Sequence, residues 1–167
     1  LILTLFPYTT LFRSESDKVF REKGSKAYKE YQEENLNVVL DKGVAFPLIR
    51  RFLSINDRFD QQQPVEVVLL SRNSAVTGKR VFRSMQHYGL NISRAAFMEG
   101  KSPYAYIPAF NASLFLSANQ KDVVTAIDYG YPAGMVLPTK VVDDLDDGEL
   151  RIAFDFDGVI ADDESET

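Results

Sequence analysis

Two carboxylates close to the end of the chain have the type and spacing to do chemistry. They are Asp155 and Asp157, in Phe154-Asp155-Phe156-Asp157-Gly158-Val159. Residues 150–156 form a largely apolar run that reads as a strand, so the two side chains leave on the same side. At about 3.3 Å of rise per residue they start roughly 6.6 Å apart. Two such charges repel by about 2.5 kcal/mol at an effective dielectric near 20, which is close to two pKa units. The pair therefore requires a neighbouring cation, or requires one member to keep its proton. A carboxylate nucleophile beside a carboxylic acid that gives and takes protons is the division of labour that moves a phosphoryl group through an aspartyl-phosphate. The plainer alternative is a solvated Asp pair in a turn. The apolar strand before the pair and the Gly-Val after it favour the chemical reading.

Two further groups suit a phosphate. Leu69-Leu70-Ser71-Arg72-Asn73 places a hydroxyl at a strand end just before a helix, where hydroxyl and backbone N–H groups can hold an anion. The same residues also serve as an ordinary helix cap. Lys101, in the loop Gly100-Lys101-Ser102-Pro103, can neutralise a phosphate at the sheet rim, although most turn lysines are simply solvated. His87, late in an amphipathic helix, reads as structural. The run Asp162-Asp163-Glu164-Ser165-Glu166 reads as an acidic terminus.

Composition narrows the chemistry. The 167 residues include no Cys and one His. That excludes a disulfide framework, a thiolate metal site and a Cys nucleophile, and leaves few parts for a His-based zinc site or a Ser-His-Asp triad. A bound metal must be held mainly by oxygen, which favours a hard ion such as Mg²⁺. The net charge of −5 divides into −10 over residues 143–167 and +5 over residues 1–142. The mildly basic body suits a phosphorylated small molecule and is too weak to argue for nucleic acid. No run approaches about 18 apolar residues, so no membrane-spanning helix is expected.

The elements that must position these residues follow from period and punctuation. Residues 16–34 read as a polar helix capped by Ser16, and residues 45–59 as a helix with Pro47 in its first turn. Residues 65–70 change to a short β-branched run, as in a buried parallel strand. Further strands are predicted at 94–98, 114–116, 133–137 and 150–156, with helices at 77–88 and 120–129 stopped by Gly89 and Gly130. The alternation predicts an α/β fold: a Rossmann-like three-layer domain with a mainly parallel sheet. Its ligands bind at the carboxyl ends of the strands, where Ser71-Arg72-Asn73, Ser117-Ala118-Asn119 and the Asp pair all fall. Residues 7–14, Pro-Tyr-Thr-Thr-Leu-Phe-Arg-Ser, resemble the translation of a common short-read sequencing adapter. Residues 1–14 are accordingly expected to be foreign, with the fold starting near Glu15.

Four collinear pieces resemble one family: Leu-Leu-Ser-Arg-Asn at 69–73, Gly-Lys-Ser-Pro at 100–103, Leu-Phe-Leu-Ser-Ala-Asn at 114–119, and Ile-Ala-Phe-Asp-Phe-Asp-Gly-Val-Ile-Ala-Asp-Asp-Glu-Ser-Glu at 152–166. Together they resemble the cytosolic type I 5'-nucleotidases, a branch of the haloacid dehalogenase-like phosphohydrolases. The resemblance implies Mg²⁺-dependent hydrolysis of nucleoside 5'-monophosphates in the cytoplasm. It implies Asp155 as nucleophile, Asp157 as acid and base, and both as Mg²⁺ ligands, Asp155 by side chain and Asp157 by backbone carbonyl. Ser71, Arg72, Asn73 and Lys101 become phosphate or substrate contacts. It also implies two related α/β halves. The first, residues 15–140, is a worn copy with a helical cap-like segment at 15–60 and a sheet core at 64–140. Its acidic motif has no Asp at Ser117-Ala118-Asn119. An acidic linker, 141–149, leads to residues 150–167, the first strand and nucleophile motif of the catalytic half. The later motifs of that half are missing, so this chain by itself is expected to be inactive, and a homo-oligomer is left open. Because the first half lacks its own first strand, residues 151–156 are expected to dock into the vacant centre of the sheet beside Ser71 and Lys101. The alternatives are another phosphatase of the same superfamily, a non-catalytic nucleotide-binding module, and a receiver-like domain, the last disfavoured because the Asp pair is on the final strand.

Overall fold

The computed structural model describes residues 1–59, 61–138 and 143–153. Within them the chain runs β1 (Ile2–Leu5), β2 (Phe12–Arg13), α1 (Ser16–Glu34), β3 (Asp41–Lys42), α2 (Phe46–Ser54), β4 (Glu66–Ser71), α3 (Ala75–His87), β5 (Arg94–Phe97), β6 (Leu114–Ser117), α4 (Gln120–Asp128) and β7 (Ala133–Met135). Short 3-10 segments at Tyr8–Thr10, Ile55–Arg58 and Tyr104–Phe110 fill the connections.

Five strands pair in parallel in the order β5-β4-β1-β6-β7. Alternation along β4 shows why the sheet is buried on both faces. Val67 and Leu69 join Ile49 and Leu53 of α2 and Val81 and Met85 of α3 on one side. Val68 and Leu70 join Phe115, Tyr104, Ile107 and Ala126 on the other. Period-two alternation with both sets apolar is what a central parallel strand between two helical layers requires. The three-layer α/β architecture with a mainly parallel sheet is the one expected from the alternation of elements.

Local chemistry explains the helices. Asn119 Oδ1 accepts the Lys121 N–H at 2.9 Å and so starts α4. Pro47 sits in the first turn of α2. The helix of residues 16–34 kinks at Gly24, whose φ of 79° lies where a side chain is strained. Ser16 is the first helical residue rather than the cap, and its Oγ is taken up by Ser14 at 2.6 Å and the Tyr8 hydroxyl at 3.1 Å. Gly78 lets α3 approach β5, since a Cβ there would lie 2.9 Å from the Phe97 ring.

Three expectations need correction. The centre of the sheet is not vacant: β1 pairs with β4 through Ile2–Leu5 and with β6 through Leu3–Leu5. Leu3 and Leu5 are fully buried, as are Thr4, Thr10 and Phe12. Residues 2–14 are therefore part of the fold, which does not start near Glu15; the alternating Leu3-Thr4-Leu5, which precedes the adapter-like residues 7–14, satisfies the central position. Of the segment expected there, residues 151–153 do not fill that position, and residues 154–156 lie outside the described residues. The described part of the last strand, residues 150–153, is irregular and largely exposed.

Candidate functional site

The strand order reverses at β1, which has β4 on one side and β6 on the other. A ligand crevice is expected at the carboxyl ends of these three strands. Their continuations are Phe6-Pro7-Tyr8 after β1, Ser71-Arg72-Asn73 at β4, and Ser117-Ala118-Asn119 at β6.

The hydroxyl at the β4 end is turned inward. Ser71 is fully buried, and its Oγ accepts the Asn73 N–H at 3.1 Å and donates to Asn73 Oδ1 at 3.2 Å. Asn73 Nδ2 donates to the Tyr28 hydroxyl, which also accepts from Gln32 Nε2 at 3.0 Å. The Tyr28 hydroxyl also shares a hydrogen bond with Thr77 Oγ1, 3.1 Å away. Arg80 completes the chain, donating to Gln32 Oε1 at 3.3 Å and the Val38 carbonyl at 2.8 Å. The network ties α1 and α3 to the turn after β4. Ser74, just before α3, makes no capping bond, and its buried Oγ has no hydrogen-bond partner.

Arg72 and Asp122 face the other layer. The Arg72 guanidinium lies over the Phe6 ring at 5.1 Å. The buried Tyr104 ring meets Phe6 edge-on at 5.9 Å, and its hydroxyl donates to Asp122 Oδ1 at 3.0 Å. Ser117 Oγ reaches Asp122 Oδ2 at 3.5 Å and accepts the Asn119 N–H at 3.0 Å. Burial, and then the Asp122 charge, push the Tyr104 phenol up from 10.0 to about 12. In the folded protein Tyr104 therefore keeps its proton over a range where the unfolded chain loses it. The stability it contributes is complete below pH 10 and is lost as pH rises from 10 to about 12. Urea unfolding of wild type and Tyr104→Phe at pH 8 and pH 11.5 checks this; the gap between the two proteins is expected to narrow at the higher pH, and a constant gap refutes it.

Lys101 belongs to the same backbone unit as Ser71 but not to the same cavity. The N–H groups of Met98, Glu99 and Gly100 donate to the carbonyls of Ser71, Asn73 and Arg72 at 2.9, 3.1 and 2.6 Å. The Lys101 side chain instead lines a cleft of about 510 Å³ on the outer edge of β5, with Phe97, Met98, Tyr106 and Phe110. Ser71, Arg72 and Asn73 are not in its lining. The structure thus holds Ser71 and Asn73 together at the β4 end, turns Arg72 to the other layer over Phe6, and sets Lys101 apart in a separate cleft. Asp155 and Asp157 lie outside the described residues. Tyr28, Tyr104 and Asp122 were missed in the sequence; the one local signal was Asp122 in the first turn of a helix capped by Asn119.

No carboxylate stands at the end of β1, and among the described residues no three His, Cys, Asp or Glu side chains converge as metal ligands. Against that geometry the comparison with known proteins is decisive. A family model described as 5'-nucleotidase matches residues 8–167, which includes the Asp155–Asp157 segment.

The chain belongs to the 5'-nucleotidase family. Human cytosolic 5'-nucleotidase 1B is 34% identical to it over 154 residues, 89% of this chain. The chain spans 25% of the length of that relative. No solved structure matches. Among the described residues of this family member, no helix is long and apolar enough to cross a membrane.

Proposed function

We propose that this chain is part of a cytosolic, Mg²⁺-dependent 5'-nucleotidase of the haloacid dehalogenase-like type, acting on nucleoside 5'-monophosphates. The observation that carries the reading is the family match, which extends through the segment holding the Asp pair. Asp155 attacks phosphorus through a carboxylate oxygen, and the bond to the nucleoside 5'-oxygen breaks. Asp157 gives that oxygen its proton, then takes one from the water that cleaves the aspartyl-phosphate. The oxygen-only donors of Asp155 and Asp157 fit a hard cation. When bound, Mg²⁺ offsets phosphate charge and the mutual repulsion of the two carboxylates. Arg72, whose guanidinium is exposed at the crevice, is the residue of the first half best placed to meet a phosphate. Ser71 and Asn73 contribute after giving up their mutual hydrogen bond, and Lys101 serves as an outer substrate contact.

A specific observation favours a second reading for the first half alone. Phe6-Pro7-Tyr8 and Ser117-Ala118-Asn119 stand where catalytic acids would be needed, so residues 1–138 suit nucleotide binding without hydrolysis. Phosphate release from a panel of nucleoside and sugar monophosphates, by a chain carrying both halves, separates these readings. Release from nucleotides with Mg²⁺ and none with EDTA supports the nucleotidase. Equal release from sugar phosphates favours another phosphatase, and binding without release favours the module.

A further inference from the structure

The acidic stretch that the sequence presents as a plain linker is tied to α2. Asp143 Oδ1 lies 3.0 Å from Arg51 Nη1 and 3.2 Å from Arg50 Nη2, with side chains only 11, 18 and 20% exposed. Arg50 Nη2 also donates to the carbonyls of Asp144 at 2.9 Å and Asp147 at 3.0 Å. Arg51 Nη2 reaches the Asp144 carbonyl at 3.4 Å, and one turn on Ser54 Oγ shares its hydrogen between the Arg51 carbonyl at 2.8 Å and the Gly148 carbonyl at 3.3 Å. One carboxylate oxygen thus meets two guanidinium groups, and backbone carbonyls accept from their Nη2 atoms, while the buried Arg50 Nε and Asp143 Oδ2 are left without a hydrogen-bond partner. Such a set of acceptors needs the planar fork of arginine, which a lysine ammonium cannot reproduce.

We infer that Arg50 and Arg51 are positioning residues: they pin residues 143–148 onto α2 and so set the point from which the chain departs toward Asp155. The functional consequence rests on the proposed role of Asp155. With the clamp in place, the last tied residue, Gly148, lies seven positions before Asp155. With it gone, the preceding backbone tie among the described residues is the Val136 N–H on the Ser117 carbonyl at 2.8 Å, nineteen residues before Asp155. The effective concentration of a tethered group falls roughly as the −3/2 power of tether length, a drop of about fivefold here.

The test uses Arg50→Met/Arg51→Met and, as a charge-preserving control, Arg50→Lys/Arg51→Lys. In the present chain, cleavage within residues 143–149 by an acid-specific protease is read by mass spectrometry. The Met pair is expected to be cut at least tenfold faster than wild type, and the Lys pair to fall between them, while cleavage within α3 and α4 stays slow. Equal rates for all three overturn the clamp, and rapid cleavage in α3 and α4 would mean that the fold is lost rather than the tie. In that event Asp143→Asn, which keeps both arginines, replaces the Met pair, and an unchanged rate overturns the clamp. In a chain carrying both halves, the Met pair is expected to lower kcat about fivefold with KM unchanged. A freed segment with unchanged kcat overturns the positioning role. Persistence of activity in Asp155→Asn would overturn the proposed nucleophile and leave the clamp standing.

Discussion

Asp155→Asn is expected to abolish Mg²⁺-dependent phosphate release from nucleoside monophosphates, by about 10⁴-fold or more. The amide is nearly isosteric with the carboxylate, so folding is little affected. What disappears is the oxygen nucleophile, and with it the route through a covalent intermediate. Asp157→Asn should be less severe, because an acid and base contributes typically 10²–10⁴-fold. The two are compared in single turnovers with a ³²P-labelled nucleotide in a chain carrying both halves. Label should appear on the wild-type protein transiently, on Asp157→Asn persistently, and on Asp155→Asn not at all. Labelling or turnover that survives in Asp155→Asn moves the nucleophile elsewhere and removes the basis of the proposed mechanism.

The second large effect is on stability and lies at the opposite end of the chain. Leu3 and Leu5 are fully buried at the middle of the sheet, among residues from α2, α3 and β4. Each Leu→Ala replacement is expected to remove about 2–5 kcal/mol, against about 5–15 kcal/mol for a typical domain. The double variant should therefore be largely unfolded at 25 °C. Removing residues 1–14 should do the same, since β4 and β6 would lose the strand that joins them. Circular dichroism across a urea titration checks both. A chain without residues 1–14 that unfolds at the wild-type midpoint would show that this segment is dispensable, as its likeness to a translated adapter suggests.

Much of the fold was legible because the elements obey local rules. The β-branched run before Ser71 becomes β4, Gly89 and Gly130 follow the ends of α3 and α4, and the alternation of strands and helices predicts the parallel sheet. Residues 45–59 read as one helix but divide after Ser54 into α2 and a 3-10 turn, a boundary that composition does not mark. The central strand was misread because the adapter-like residues 7–14 set the whole of residues 1–14 aside. Its role appears only when β4 and β6 are brought to either side, a tertiary fact. The site was legible in part for the same reason. Ser71 announces a strand end, yet the direction of its hydroxyl depends on Asn73 and on Tyr28, 45 residues away from Asn73. Lys101 announces a loop, but which side of β5 its side chain takes is decided by the turn at Glu99 and Gly100, with φ of 46° and 91°. Nothing local marks Arg50 and Arg51, because their partner, Asp143, lies 93 residues from Arg50 in a segment of like charges.

The position of β1 also bears on synthesis. Residues 2–5 leave the ribosome before either of the strands that flank them, and Ile2 meets Ser113 only 111 residues later. At about 5–20 residues per second, that leaves an apolar segment without its second neighbour for roughly 6–20 s. During that interval it is open to chaperones and to other nascent chains. Slowing translation should therefore raise the share of protein lost to aggregates, whereas a permutant in which β1 is made between β4 and β6 should be spared.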